Sequence, residues 1–263
     1  MIINSKNRCK KLRKRILEMS QNVEALHISS AFSSTEIVEN IYFNLMKKKN
    51  DKYVDKFLMS KGHGCLIQYV ILEYMGILKR RDIEQYCKKD GILGCHPDID
   101  NPGIEASTGS LGHGLTMALG MCIANKKKKN NSKCFVVISD GELQEGSTWE
   151  AILLASSLKL NNLIVFVDNN NYQSLGKTSV THPSFYPLSE KFKSFKWDVK
   201  EVSGHNTKQL FKAFNTWKQK RPLIVVAKTI KGYPVDFMID NPIWHYRSPN
   251  KNELKKANQQ IDK

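Results

Sequence analysis

The sequence predicts an α/β fold in which helices cover both faces of a parallel sheet. Two short apolar runs, residues 135–139 and 163–167, each end in a polar turn and are typical of buried strands. Between them, apolar residues and one small residue recur at helical spacing, at Trp149, Ile152, Leu153, Ser156 and Leu160. Because a strand–helix–strand crossover is right-handed, both polar turns should emerge at one sheet edge, where such folds bind ligands.

The N-terminal part of the chain is predicted to be helical. Leu12, Ile16 and Met19 have the spacing of a helix that packs on the domain. A second helix is predicted from the capping-box pattern of Ser33 and Glu36, which stands ahead of an apolar face.

The later elements continue the alternation of strands and helices. Glycine-containing turns at residues 61–64 and 109–114 each lead into an apolar helix. A strand and a turn that contains His205 come next, and residues 223–228 form the last buried strand. No internal repeat or long linker interrupts the chain, so residues 1–263 are predicted to form a single domain.

The composition is strongly basic, with 41 lysines and arginines, 25 acidic residues and a net charge of +16. A nucleic-acid-binding surface would combine such charge with aromatic stacking residues or a groove-reading motif. The basic clusters lack both, and they lie at residues 6–15, 47–49, 126–129 and 255–256. We therefore predict solvated loops and no nucleic-acid binding. Attraction of an anionic substrate or an acidic partner is the lesser alternative.

Neither a membrane span nor a secretory signal is predicted. No segment approaches the roughly 18 consecutive apolar residues of a membrane helix, and the basic N-terminus lacks an apolar signal core. The six cysteines form neither a CxxC pair nor a zinc-binding spacing, and several are expected to be small core residues. These features predict a cytoplasmic protein.

The two polar turns offer oxygen ligands for a divalent cation. Asp140 supplies a carboxylate, Asn170 an amide oxygen, and the loop that follows backbone carbonyls. Mg²⁺ prefers such ligands and commonly also binds water and a phosphorylated ligand, which Gly141 would allow to approach. Asp and Asn also end strands in ordinary turns. Their pairing on one strand–helix–strand unit favours the metal site.

The segment from residue 134 to residue 176 resembles the thiamine diphosphate signature of transketolases. It contains SDGELQEGSTWEA and, about thirty residues after its Asp-Gly, the DNNNY run. The resemblance implies a thiamine-diphosphate-binding fold of the diphosphate-binding (PP) type, in which Gly141 contacts the cofactor. It also implies Mg²⁺ held by Asp140, Asn170 and the backbone carbonyl of Tyr172. Ser139 departs from the glycine that is usual in the family.

Two further motifs resemble the same family and imply cofactor contacts. SKGHG is similar to the family's SKGHA turn, which implies that His63 contacts the diphosphate. STGSLGHGL is similar to TTGPLGQGL, which implies that Gly109 and Leu111 line the cofactor. His113 stands where the family usually has glutamine.

Other motifs of the family imply residues that act on the substrate. GCHPD resembles GHPE, and the tail KGYPVDFMIDNPIWH resembles KGKGVSFMEN…WHG, so His96 and His245 are implied to face the sugar. LHISSAFSS resembles GHIGGSLS and adds His27, with larger residues in place of the family's glycines. Glu145 resembles a glutamate at the family's domain interface, and the resemblance implies that it relays protonation between cofactor sites.

The resemblance covers nearly the whole chain and implies a transferase acting as one subunit of a split transketolase. Such an enzyme moves a two-carbon ketol unit from a ketose to an aldehyde. The pyrimidine-binding domain and its catalytic glutamate have no counterpart in these residues, so a second subunit is implied, in an α2β2 heterotetramer. The alternatives are transfer to a modified or nucleotide-linked sugar, another α-keto donor, and a non-catalytic binding module. The sequence names neither the sugars nor the partner.

Overall fold

A five-stranded parallel sheet forms the centre of the computed structural model, which describes residues 4–50, 52–174 and 176–263. The strands in chain order are β1 (Lys48–Lys49), β2 (Lys52–Tyr53), β3 (Lys56–Met59), β4 (Cys134–Ser139), β5 (Leu163–Asn169), β6 (Asp198–Ser203) and β7 (Leu223–Lys228). The sheet order is β3-β4-β5-β7-β6, and β1 and β2 form a separate antiparallel pair. The predicted parallel sheet is confirmed. That residues 1–263 form a single domain stays a prediction.

Helices precede β1 and lie in each connection from β3 to β7. In order they are α1 (Ser5–Met19), α2 (Ile28–Ser33), α3 (Thr35–Asn40), α4 (Cys65–Tyr74), α5 (Arg80–Glu84), α6 (His113–Lys127), α7 (Gly146–Ser157), α8 (Thr178–Thr181), α9 (Leu188–Ser194), α10 (Thr207–Asn215) and α11 (Lys251–Asp262). Single 3₁₀ turns at Gly62–Gly64 and Gly141–Gln144 precede α4 and α7. Within the described ranges, none of the helices is long and apolar enough to cross a membrane.

Side chains of successive strand residues alternate between two apolar cores. In β4, Phe135 and Val137 point into one core, and Val136 and Ile138 point into the other. The first core includes residues of α1, α3, α4 and α10, and the second includes residues of α6, α7 and α9. The prediction that helices cover both faces of the sheet is therefore confirmed. The predicted N-terminal helix is confirmed as well, as α1.

All five strands end at the same edge of the sheet. Met59 pairs with Val137, Ser139 with Asp168, and Asp168 with Ala227. Because the strands are parallel and in this register, the residues that follow β3, β4, β5 and β7 emerge side by side. This edge positions the candidate site.

The helix between β4 and β5 is confirmed as α7, but the prediction of its buried face is partly wrong. Leu153 is 56% exposed, whereas Thr148, Ala151, Ile152 and Ala155 are buried. The small side chains of Ala151 and Ala155 let this face approach its neighbours closely. The prediction gave weight to the larger apolar residues, and these are divided between the core and the surface.

The predicted capping box at Ser33 and Glu36 is wrong. Ser33 is the last residue of α2, and its hydroxyl donates to the carboxylate of Asp168 at 2.6 Å. Glu36 is buried in α3 and accepts two hydrogen bonds from Arg13, at 2.6 and 2.7 Å. A buried carboxylate needs a charged partner, and this requirement outweighs the gain from capping a helix.

Candidate active site

A cleft of about 480 Å³ opens at the carboxyl edge of the sheet. Ten of the eleven predicted site residues line it, namely His27, His63, His96, Gly109, Leu111, Gly141, Glu145, Asn170, Tyr172 and His245. The eleventh, Asp140, is fully buried next to Gly141. The fold thus brings together residues that lie more than 200 positions apart in the sequence.

Four histidines converge in the cleft. The ring centroid of His27 lies 5.5 Å from that of His63, 6.3 Å from that of His96 and 5.1 Å from that of His245. Burial, reinforced by nearby positive charge, lowers the pKa of His27 to about 4 and that of His245 to about 3. Burial also lowers the pKa values of His63 and His96. All four imidazoles are therefore neutral at pH 7 and can each donate and accept a hydrogen bond.

A lysine that the motifs did not single out orients one of these histidines. Lys231 Nζ lies 2.9 Å from His245 Nδ1 and donates to the Gln173 carbonyl at 3.2 Å. Because the ammonium only donates, His245 accepts at Nδ1 and carries its proton on Nε2. Burial, together with the charge of Lys61, lowers the pKa of Lys231 to about 8. Lys231 is therefore mostly cationic at pH 7.

Cys95, which precedes His96 in the chain, contacts the Nδ1 atom of the His96 ring, as Lys231 contacts that of His245. The Cys95 sulfur lies 3.2 Å from His96 Nδ1, on the side of the ring away from Nε2. Tyr69 donates to the His96 backbone carbonyl at 2.8 Å, which fixes the loop that carries this histidine.

Two buried acids lie beneath the cleft. Asp140 accepts hydrogen bonds from the amides of Gly141 at 2.9 Å and Asn171 at 2.6 Å. Burial, with the adjacent Asp168 carboxylate, raises the pKa of Asp140 to about 7. Burial also opposes the charge of Asp168, but its ion pair with the fully buried Lys61 holds the pKa of Asp168 below its usual value. Lys61 is thus bonded directly to Asp168 and acts on Asp140 only through its charge.

The groups predicted to hold Mg²⁺ are adjacent and fit such an ion. The Asn170 side-chain oxygen accepts from the Tyr172 amide at 3.0 Å, and a Cβ added to Gly141 would lie 3.6 Å from the Tyr172 carbonyl oxygen. Together with Asp140 they supply carboxylate, amide and carbonyl oxygens, the ligands that Mg²⁺ prefers. A divalent cation would also offset the second buried carboxylate. In the described ranges, no group of three or more His, Cys, Asp or Glu side chains is placed to hold a metal ion. The predicted Mg²⁺ site contains only one side chain of these types, that of Asp140, because its other protein ligands are amide and carbonyl oxygens.

The glycine-rich turn before α6 packs against the Gly62–Gly64 turn. Gly109 has φ of +144°, and a Cβ there would lie 2.8 Å from the His96 ring. A Cβ on Gly62 would lie 2.7 Å from the Gly109 nitrogen. Only glycine allows both approaches, which keep this wall of the cleft open to a ligand.

A buried glutamate that sequence reasoning missed joins these turns to β4. Glu142 is fully buried and accepts hydrogen bonds from the Ser60 hydroxyl at 2.5 Å, the Gly112 amide at 2.9 Å and the Ser139 amide at 3.3 Å. It lies within DGELQEG, and Lys61 lies within SKGHG, so the motifs already contained both residues. Lys231 could have been found as the lysine that follows the last buried strand at the same edge.

Comparison with known proteins agrees with this geometry. A family model described as "Transketolase, thiamine diphosphate binding domain" matches residues 5–261. The chain belongs to the transketolase family. One of the subunits of the apulose-4-phosphate transketolase of Phocaeicola vulgatus is 33% identical over 95% of this chain and 91% of its own length. The 6-deoxy-6-sulfo-D-fructose transketolase subunit of a Clostridium strain is 33% identical over 86% of this chain and 84% of its own length.

Solved transketolase structures share the fold. The transketolase of Campylobacter jejuni matches with a TM-score of 0.92 and 25% identity, over 100% of this chain and 43% of that one. The chain thus spans about two fifths of a full transketolase chain, and it has nearly the length of the two transketolase subunits. It is a transketolase-family thiamine diphosphate-binding domain.

Proposed function

We propose that this chain is the diphosphate-binding subunit of a split transketolase. The observation that carries the proposal is the convergence of four neutral histidines and Lys231 above two buried acids at one sheet edge. The similar length of the named transketolase subunits supports a chain that works with a separate partner.

The phosphate end of the cofactor would lie at the floor of the cleft. Asp140, Asn170 and the Tyr172 carbonyl would hold Mg²⁺, and Lys231 would add positive charge against the diphosphate. His63 would contact the cofactor from the turn before α4, Gly109 and Leu111 from the turn before α6, and Gly141 from the turn before α7. When bound, thiamine diphosphate supplies the carbanion chemistry that cleaves a bond next to a ketone.

The histidines would handle protons at the reacting end. His27, His96 and His245 are neutral at pH 7, so each can give a proton to a forming alkoxide or take one from a hydroxyl. His245 would donate through Nε2, because Lys231 occupies Nδ1. Glu145 lies exposed at the cleft rim, and in this proposal it carries protonation toward a second site across the subunit interface.

A second subunit would complete the site. Leu153 and Leu154 of α7, Leu158 directly after it and Met117 of α6 are 40–56% exposed, and the two helices pack side by side, which supports burial of this surface in an assembly. The partner would bring the pyrimidine-binding domain and the catalytic glutamate. An α2β2 heterotetramer, formed in the cytoplasm, is the closed arrangement we propose.

The substrate would be an anionic sugar of an uncommon type. The two transketolase subunits described above are named for apulose-4-phosphate and 6-deoxy-6-sulfo-D-fructose, each a sugar with an anionic group. A net charge of +16 would attract such substrates. Transfer of a ketol unit to or from a phosphorylated or sulfonated sugar is therefore the reaction we propose.

The test is co-expression with a candidate second subunit that carries a pyrimidine-binding domain. We expect the two chains to co-purify with the mass of an α2β2 assembly. The assembly should transfer a ketol unit between anionic sugars when Mg²⁺ and thiamine diphosphate are present. Robust ketol transfer by this chain alone would contradict the proposal, because the activating carboxylate would then have to lie within these residues.

A further inference from the structure

His205 links the turn after β6 to the loop after β7. Its Nε2 accepts a hydrogen bond from the Ile230 amide at 2.9 Å, and its Nδ1 lies 2.9 Å from a carboxylate oxygen of Glu36. Because a backbone amide can only donate, Nε2 must be the unprotonated acceptor. The imidazole proton therefore lies on Nδ1 and is donated to Glu36.

The surroundings hold this imidazole in one orientation. Glu36 is buried and forms an ion pair with the buried Arg13 at 2.6 Å, so its carboxylate is fixed. The Tyr233 ring stacks on the His205 ring with centroids 4.1 Å apart. The His205 side chain is only 12% exposed. Because the His205 side chain is held in this way, it fixes the position of the Ile230 amide relative to α1 and α3.

The Ile230 amide lies next to the lysine of the cleft. The backbone before it is held by Thr229, whose amide donates to Asn169 at 3.1 Å, and the backbone after it by Gly232, whose amide donates to Ser29 at 3.2 Å. Between these anchors, the amide of Ile230 is held by a side chain, that of His205. The next residue, Lys231, places its ammonium 2.9 Å from His245 Nδ1.

We propose that His205 is a positioning residue that holds the loop of Lys231, and through it the Lys231–His245 contact, in the cleft. The inference rests on the proposed function, in which Lys231 faces the cofactor diphosphate. His205 itself lies outside the cleft lining and would touch neither cofactor nor substrate.

Two substitutions separate the two hydrogen bonds of His205. In His205→Gln the amide can place an oxygen near the Nε2 position and accept from Ile230. In His205→Asn the shorter amide can donate to Glu36 from the Nδ1 position but cannot reach Ile230. Loss of one neutral hydrogen bond corresponds to about a two- to tenfold change in an equilibrium constant.

The experiment compares these variants in the reconstituted complex by calorimetry with thiamine diphosphate and Mg²⁺, by kcat and by melting temperature. We expect His205→Asn to weaken cofactor binding about two- to tenfold and to lower kcat, and His205→Gln to stay near the unsubstituted protein. Gln209→Ala is the matched control, because it removes a hydrogen bond to Ser203 in the same turn without touching Ile230. Equal losses in His205→Asn and His205→Gln, or losses that simply follow melting temperature, would overturn the proposal.

A measurement on the isolated ¹⁵N-labelled chain separates this proposal from the proposed function. We expect the Ile230 amide to exchange with solvent faster in His205→Asn than in His205→Gln, and the Lys231 amide signal to shift only in His205→Asn. Identical exchange and spectra in the two variants would refute the positioning role. Absence of cofactor binding by the unsubstituted complex would instead refute the proposed function and leave the exchange result as the test of His205.

Discussion

Replacement of Lys61 by methionine tests the buried ion pair beneath the cleft. Lys61 and Asp168 are both fully buried, so the variant leaves a buried carboxylate without its cation. Removal of one partner from a buried pair typically costs about 3–5 kcal/mol. Asp168 keeps hydrogen bonds from Ser33, Asn170 and Thr229, so we expect a loss near the lower end, about 3 kcal/mol.

The assay is thermal unfolding of the chain at pH 8 and pH 5. At pH 8 a loss of this size corresponds to a fall in melting temperature of about 10 °C. The pKa of Asp168 lies below its usual value in the native protein, so the pair stabilises the fold above the unfolded pKa of about 4. Without Lys61 that pKa should rise, protonation should relieve the buried charge, and the loss should be smaller at pH 5 than at pH 8.

Lys56→Met is the matched control, because it removes a lysine from the same segment of the chain. Lys56 pairs with Glu105 at 3.0 Å, but the two side chains are 40% and 32% exposed. We expect a loss below about 1 kcal/mol at either pH. A similarly small and pH-independent loss in Lys61→Met would refute the description of Lys61 and Asp168 as a buried, mutually compensating pair.

Three further predictions concern the cleft. Asp140→Ala should abolish Mg²⁺-dependent binding of thiamine diphosphate in calorimetry while the circular dichroism spectrum stays unchanged; unaltered affinity would remove Asp140 from the metal site. His96→Ala and His245→Ala should each lower kcat about 10²–10⁴-fold with little change in cofactor affinity, and full turnover in either variant would disprove that residue's role. Lys231→Met should weaken cofactor binding yet stabilise the unliganded chain by about 1–3 kcal/mol at pH 7, since burial lowers the lysine pKa to about 8. That gain should disappear as the pH rises from 8 toward 10.5, and a destabilised variant at pH 7 would contradict the reasoning.

The sheet could be predicted because its strands carry a strong local signal. β4, β5 and β7 are apolar runs buried on both faces, and the polar residues that end them mark the carboxyl edge. The site residues were named from motifs that resemble the transketolase family, and the structure brings those motifs to one cleft. Their individual roles stay predictions.

The sequence could not show which side chains form ion pairs and hydrogen bonds when they lie far apart along the chain. Asp168 was predicted to begin a turn, but β5 continues through it, because Lys61, 107 positions earlier, offsets its charge. Glu36 was predicted to cap a helix, but Arg13 and His205 draw it into the interior. Local patterns do not record such pairings, because a charged side chain can be buried only where the fold places a compensating partner next to it.

Calorimetric titration of thiamine diphosphate with Mg²⁺ tests the central claim most directly, when done on this chain alone and on the chain with its partner. We predict saturable binding by the complex and roughly 10- to 100-fold weaker binding by the chain alone. That factor corresponds to an aromatic ring left in water, about 1.5–3 kcal/mol. Equal affinity with and without the partner would contradict the claim that this chain supplies only the diphosphate-binding half of the site.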